Sequence, residues 1–146
     1  MTISIQLSIV EEVTGELLEA FTRLMPQLKA GEPAPGAEWL MELVEFPGAL
    51  LVTARLDGKI IGAGTLAWVY APSGLHARIE DLVVDESARR QGTGEAITRF
   101  LLDQAEESGA KYVALTSNPK REAANKLYRK MGFKKWETNL YIYKFE

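Results

Sequence analysis

The sequence predicts a single mixed α/β domain spanning residues 1–146, and three observations carry that expectation. Polar and apolar residues alternate at strand spacing at the start of the chain, and two further short strands are expected near its end. Asp57-Gly58 joins two β-prone runs as a hairpin turn would, because a type I′ turn needs positive φ twice. Lastly, a short apolar strand, a glycine turn and a long amphipathic helix stand in sequence before a further short apolar strand. Such a helical crossover joins parallel strands, so the sheet must mix the two senses.

In chain order, Ile3, Ile5, Leu7 and Ile9 alternate with polar residues and predict a half-buried strand. Thr14 is placed to cap a helix over Glu16–Leu28, where Leu17, Phe21, Leu24 and Leu28 fall on one face. Lys29–Gly36 is rich in Gly and Pro and reads as a loop. A short helix, Ala37–Glu45, should end before Pro47. Strands follow at Leu50–Leu56 and Lys59–Val69, then a turn at Ala71-Pro72-Ser73-Gly74 and a fourth strand at Ala77–Val84. The next helix runs from about Thr93, buries Ile97, Leu101 and Ala105, and closes at Gly109. Lys111–Thr116 is a fifth strand. Asn118 can cap a last helix that has Pro119 at its first position and Gly132 at its end. Phe133–Trp136 and Leu140–Phe145 predict a closing antiparallel hairpin. The sum is a central sheet of about six to seven strands flanked by about four helices.

Composition narrows the function. Apolar residues make up 47% and charged residues 25% of the 146, ordinary values for a globular chain that buries a core without staples. With no cysteine and one histidine, thiol nucleophiles, thiolate metal sites and multi-histidine metal sites are excluded. His76 has no partner at a recognisable spacing and reads as a strand-edge surface residue. No apolar run approaches the ~18 residues of a membrane span, and no signal peptide opens the chain, which reads as cytoplasmic. A net charge of −3 argues against nucleic-acid binding.

The charges are unevenly spread. Residues 1–50 carry eight glutamates against Arg23 and Lys29, whereas Lys120, Arg121, Lys126, Arg129, Lys130, Lys134 and Lys135 face only Glu122 within 118–135. Two readings stand: solvated helix faces, or a basic side for phosphates and an acidic side that attracts an amine.

Arg89-Arg90-Gln91-Gly92-Thr93-Gly94 is the most informative segment. A glycine turn that opens a helix presents backbone N–H groups without obstruction, and the positive helix end favours a phosphate. No Gly-Lys-Ser/Thr follows, so this is not a Walker loop. A third glycine and a nearby ribose-binding acid are missing for the dinucleotide fingerprint. The order proposes an anion cradle, most simply for a cofactor's pyrophosphate.

Three pieces together resemble a known family: Ile79-Glu80-Asp81-Leu82-Val83-Val84, the [QR]-x-x-G-x-[GA] pattern over Arg89–Gly94, and Asn125-Lys126-Leu127-Tyr128-Arg129-Lys130-Met131-Gly132-Phe133. In this order they are similar to the GNAT superfamily of N-acetyltransferases, which use acetyl-coenzyme A. The resemblance spans roughly residues 48–145 and is specific over 78–133. It implies a sheet splayed between strands four and five. It also implies that Arg89, Arg90, Gln91, Gly92, Thr93, Gly94 and Glu95 bind the coenzyme pyrophosphate, largely through main-chain N–H groups. For the two arginines a solvated surface is the other reading.

The resemblance further implies that backbone groups of Leu82, Val83 and Val84 pair with the pantetheine arm, one N–H near Leu82 polarising the thioester carbonyl. As side chains these three are equally core residues. Tyr128 matches the family's usual general acid; by periodicity it lies on the stripe Ala124, Leu127, Tyr128, Met131 and reads as a core aromatic. A phenol of pKa ~10 protonates a thiolate whose thiol has pKa ~8.5 only with help from its surroundings. Glu80 corresponds to an acid that, in the glucosamine-6-phosphate acetyltransferase branch, helps to deprotonate the incoming ammonium. Strand alternation places it opposite in face to Asp81, and a salt bridge with Arg78 or Arg55 is its other reading. Asn118 and Asn125 would bond the pantetheine or adenosine end, Asn118 having its cap role as the alternative. Trp68 and Trp136 read as core, and Trp39 as a candidate pocket wall.

The expected activity is transfer of an acetyl group from acetyl-CoA to a primary amine of a small molecule, with no metal. Lacking a cysteine nucleophile, the acceptor would attack directly in a ternary complex. The acceptor is expected to be a polyamine, amino sugar or amino-acid-like compound. No nucleic-acid or membrane partner is expected, and the reading admits a homodimer. The alternatives are acetylation of protein N-termini or lysines, a non-catalytic acyl-CoA sensor, and an anion-binding module without thioester chemistry.

Overall fold

A computed structural model describes residues 4–145, so Ile3 of the first expected strand and both ends of the 1–146 domain lie outside the described residues. Two compact units are present, one ending at Leu115 and the other beginning at Thr116.

The first unit holds the sheet. Strand β1 (Ile5–Ile9) is followed by helices α1 (Gly15–Leu28) and α2 (Ala37–Glu45). Strands β2 (Ala49–Leu56), β3 (Lys59–Ala71) and β4 (Gly74–Val84) come next, then a 3₁₀ turn at Glu86–Ala88, helix α3 (Thr93–Glu107) and β5 (Val113–Ala114). The sheet order is β1-β2-β3-β4-β5, antiparallel except for the β4–β5 pair, which is parallel as the helical crossover requires.

Local chemistry sets the element ends. Thr14 Oγ1 accepts from Leu17 N at 3.1 Å, an N-cap that satisfies a first-turn donor of α1. Asp57 and Gly58 take φ of 52° and 79°, the paired positive values of a two-residue hairpin. Cross-strand partners show which face each helix covers. Val52 pairs with Gly64 and Ala54 with Gly62, and a Cβ added to Gly64 would stand 2.9 Å from Ile97 and 3.2 Å from Leu101 of α3. On the other face, Leu51, Ala63 and Val83 share a core with Leu17, Phe21 and Leu24 of α1 and Leu40 of α2. Helices thus cover both faces of the sheet.

The strand count is five, fewer than the six to seven anticipated. Residues 133–145 form no ladder among the described residues. β-prone residues favour extended backbone, but a strand also needs a hydrogen-bonding neighbour, and a lone hairpin is marginal. The fifth strand shrinks to Val113–Ala114 for the same reason: it pairs only at Ala77 and Arg78. His76 does find a partner, stacking on Tyr112 at 4.7 Å.

The second unit contains helix α4 (Glu122–Met131). It begins later than the Asn118–Pro119 signal suggested, and Arg121 occupies the N-cap position without a side-chain bond. Asn118 instead closes a turn, its Oδ1 accepting from Lys120 N at 2.9 Å and its carbonyl from Arg121 N at 3.0 Å. At the other end Gly132 takes φ 105°, and Phe133 N reaches back to Tyr128 O at 2.9 Å, an αL stop that favours glycine.

Candidate active site

The turn expected to cradle an anion lies between the end of β4 and the start of α3. Gly92 is the N-cap of α3, left-handed at φ 82°, and it brings no side-chain cap. Ala96 N to Gly92 O, 3.0 Å, is the bond that opens the helix, which leaves the amides of Thr93 and Gly94 ahead of it without an i−4 carbonyl. Arg90 is also left-handed, at φ 66°. Successive amides in such a mixed-handed turn converge on a concavity that suits an anion. Beside Gly92, the position of a Cβ lies in open space.

Each residue of the turn has a distinct part. Thr93 is buried, a Cβ at Gly62 would lie 3.4 Å from its methyl, and its Oγ1 has no partner among the described residues. Its side chain is therefore packing, and its amide is the group that would suit a phosphate. Gly94 lies in the first turn of α3, with its carbonyl accepting from Thr98 Oγ1 at 2.7 Å. Glu95, also in that turn, has a carboxylate of the wrong sign for phosphate, so only its amide suits. Arg90 and Gln91 are exposed. Arg89 leans back, its Nε donating to Val84 O at 3.3 Å and its Nη1 standing 3.9 Å from Glu86. The residues present fit a pyrophosphate held by main-chain donors.

Strand β4 leads into this turn with one long edge bare. Its partner β5 meets only Ala77 and Arg78, so Ile79–Val84 has no ladder neighbour on that side among the described residues. The sheet splays there, as the resemblance implied. Against β3, the register passes from Ala63↔Val83 to Thr65↔Glu80, which places one extra residue in β4. Asp81 absorbs this bulge at φ 49°, an uncommon value for a non-glycine residue. Gly64 stands opposite, where a Cβ would lie 3.2 Å from Leu82 Cδ1. Val83 is in the core, while Leu82 and Val84 are half-buried.

The bulge interrupts the regular strand alternation directly after Glu80, where Asp81 takes its left-handed φ. Arg78 Nε donates to Glu80 Oε1 at 2.8 Å. Arg55, the other anticipated partner, pairs with Glu16 at 2.6 Å instead. Partial burial raises the pKa of Asp81 above 3.8, and the carboxylates of Glu80 and Glu32 raise it further. Asp81 thus sits in a negative field that a cation would relieve.

Within the second unit, the stripe Ala124, Leu127, Tyr128 and Met131 is the less exposed side of α4. Tyr128 is buried and packs edge-to-face on Phe133, centroids 5.6 Å apart. Burial raises the pKa of its phenol above 10.0, and Arg121 lowers it by less. Asn125 Nδ2 donates to Asn118 O at 3.0 Å, so the two asparagines brace the turn before α4. Trp39 and Trp136 are 58% and 66% exposed, which removes Trp136 from the core.

Two concavities, about 240 and 230 Å³, lie at the β1–α1 connection and beside α2. Neither is lined by the end of β4 or by the 89–94 turn. Among the described residues no group of three or more His, Asp or Glu could hold a metal, and no helix is long and apolar enough to cross a membrane.

Residues 11–133 match the acetyltransferase (GNAT) family. The chain belongs to the GNAT acetyltransferase family. Human N-acetyltransferase 8 is 32% identical over 90 residues, which cover 60% of this chain and 40% of that protein. The match therefore spans well under half the length of that relative. Among solved structures, an aminoglycoside acetyltransferase from an uncultured soil metagenomic sample, in complex with sisomicin, superposes with a TM-score of 0.83 at 20% identity, covering 97% of this chain and 96% of the other. The aminoglycoside N-acetyltransferase AAC(6')-Iy in complex with CoA gives 0.81 at 18%, covering 99% and 97%. A Trypanosoma brucei acetyltransferase gives 0.77 at 24%, covering 97% and 100%. These neighbours share the GNAT fold.

Asp81 is the feature that sequence reasoning passed over. Its signal was present: two adjacent acids inside an apolar strand break the alternation, and Gly62 and Gly64 two positions apart mark a crowded face opposite.

Proposed function

We propose that this GNAT protein is an N-acetyltransferase that uses acetyl-CoA to acetylate a primary amine of a small molecule, by direct attack in a ternary complex. Residues 1–146 would act as one domain in the cytoplasm. The observation that carries the reading is the order of the bare β4 edge and the cap-free opening of α3, joined by a turn with two left-handed residues. Aminoglycoside acetyltransferases among the fold neighbours, one in complex with sisomicin, favour an amino sugar as the acceptor class.

Acetyl-CoA, when bound, supplies the acetyl thioester. Amides from Arg89 to Glu95 hold its pyrophosphate, and the side chains of Arg89 and Arg90 add positive charge. Backbone groups of Leu82, Val83 and Val84 pair with the pantetheine arm, and an amide near Leu82 polarises the carbonyl under attack. Asn118 and Asn125 serve the outer part of the coenzyme. Asp81 holds the incoming ammonium, because the neighbouring carboxylates of Glu80 and Glu32 give it a negative field that a cation relieves. Glu80 accepts the proton the ammonium must lose, with Arg78 fixing the carboxylate. Tyr128 donates the proton to the departing sulfur; its raised pKa makes that transfer depend on orientation rather than on acidity.

The test is a thermal-shift and amine-panel experiment. Acetyl-CoA should raise the melting temperature while ATP does not, and at least one amino sugar, polyamine or amino-acid-like amine should release CoA. Stabilisation by acetyl-CoA with no turnover on any amine would favour the sensor. No response to acetyl-CoA would remove the reading.

A further inference from the structure

We infer that Arg23 of α1, assisted by Gln27, is a positioning residue that holds the coenzyme cradle in its binding shape from a distance. The inference rests on the proposed use of acetyl-CoA. Arg23 Nη1 meets Asp85 Oδ2 at 2.5 Å, although 62 residues separate them. Its Nη2 also donates to Ile60 O at 3.2 Å, while Glu19 takes a longer pair of bonds at 3.4 Å. One turn further along α1, Gln27 Oε1 accepts from Glu86 N at 2.7 Å, and Gln27 Nε2 donates to Arg23 O at 3.1 Å. Two side chains of one helix thus grip the two residues that follow β4.

Asp85 is the hinge of this arrangement. It is 6% exposed, and both carboxylate oxygens are committed. While Oδ2 faces Arg23, Oδ1 accepts from the Ser87 amide and hydroxyl, each at 3.0 Å. Asp85 N donates to Ile61 O at 2.7 Å and Asp85 O accepts from Ala88 N at 2.9 Å. The Glu86–Ala88 turn is thereby fixed at its first residue, and Arg89, Arg90 and Gly92 follow directly. A cradle of main-chain amides works only if those amides converge, and backbone direction is what the turn sets. Neither Arg23 nor Gln27 is needed for the fold of the cradle's own helix, which Gly92 opens by backbone bonds. Removing Arg23 leaves a buried carboxylate without its cation. The turn would move to hydrate it, and the amides beyond would lose their common focus.

The experiment titrates acetyl-CoA calorimetrically into the wild type, Arg23→Met and Arg23→Lys, with hydrogen exchange followed across residues 86–94. Arg23→Met keeps the apolar stem and should raise the Kd about tenfold and speed exchange in the turn, the range expected for a residue that does not touch the ligand. Arg23→Lys returns a cation to Asp85 and should recover the Kd to within about threefold. A role confined to stability would lower the melting temperature and leave the Kd of the folded protein alone. A folded Arg23→Met with wild-type Kd overturns the inference. If Arg23→Met does not fold, Gln27→Met decides: a Kd raised about threefold supports the clamp, and an unchanged Kd overturns it. Failure of the wild type itself to bind acetyl-CoA would instead remove the functional reading beneath.

Discussion

Arg78 and Glu80 lie two residues apart on β4 and share one side of the strand, with Arg78 Nε donating to Glu80 Oε1 at 2.8 Å. The bulge at Asp81 comes immediately after, so Glu80 is the last residue of β4 paired in regular register before the shift. A carboxylate held this way is oriented and still exposed, which suits a proton acceptor better than a buried strut. Glu80→Gln should therefore lower the rate most at low pH, where the acceptor arrives as ammonium, with the deficit shrinking as pH rises. Asp81→Asn should instead raise the KM for a cationic acceptor. In the wild type, acceptor binding should weaken as pH falls through the Asp81 pKa, which lies above 3.8, because protonation removes the charge that holds the ammonium. pH–rate profiles of the three proteins with one identified amine provide the check. A pH-independent deficit in Glu80→Gln would leave Glu80 as Arg78's partner and nothing more.

Tyr128→Phe keeps the edge-to-face contact with Phe133 and removes only the hydroxyl. The expected outcome is a kcat loss of about a hundredfold with little change in acetyl-CoA affinity, the signature of a positioned acid. Rapid-quench measurement of the chemical step distinguishes the readings. Full turnover in the variant, with chemistry rate-limiting, would make Tyr128 a packing residue.

Gly64→Ala tests the packing that lets β4 bulge. The added methyl would stand 2.9 Å from Ile97 Cγ2 and 3.2 Å from both Leu101 Cδ1 and Leu82 Cδ1. Overpacking of this kind should destabilise by about 1–3 kcal/mol, read from the denaturant midpoint. An unchanged midpoint would mean that the bulge and α3 yield freely.

Asp85 should dominate part of the acid limb of stability. Burial works against its charge, but the Ser87 amide and hydroxyl and the Arg23 guanidinium outweigh it and hold the carboxyl below 3.8. A depressed folded-state pKa gives stability that is complete above the unfolded value and is lost as pH falls through the folded one. Asp85→Asn should therefore be less stable than wild type at neutral pH, with the gap closing below about pH 4. Parallel melting curves from acid to neutral pH measure this; a gap that stays constant would assign the effect to packing.

Much of this was legible because it is local. Thr14, Asp57-Gly58, Gly92 and Gly132 each carry their conformational instruction within a few residues, and each lies where the sequence placed a boundary. The cap-free opening of α3 was readable for the same reason. What escaped depends on partners distant in sequence. The Asp81 bulge is a mismatch between two strands, hinted at by the adjacent acids but located only once Ala63 meets Val83 and Thr65 meets Glu80. The Arg23–Asp85 grip joins segments 62 residues apart with no spacing rule to announce it. Leu140–Phe145 is rich in β-prone residues, but that composition says nothing about whether a neighbouring edge pairs with it.

The 89–94 turn is proposed to hold the pyrophosphate of acetyl-CoA, and Gly94 is the position at which to test it. Gly92 is a poorer choice, since at φ 82° any side chain strains the backbone. Gly94 lies inside the first turn of α3, where a helical residue is tolerated, so Gly94→Glu adds bulk and negative charge at the proposed phosphate position with limited cost to folding. Calorimetric titration of acetyl-CoA into wild type and folded Gly94→Glu should show affinity weakened by about tenfold or more, equivalent to at least ~1.4 kcal/mol. Equal affinity in the two proteins would contradict the cradle assignment.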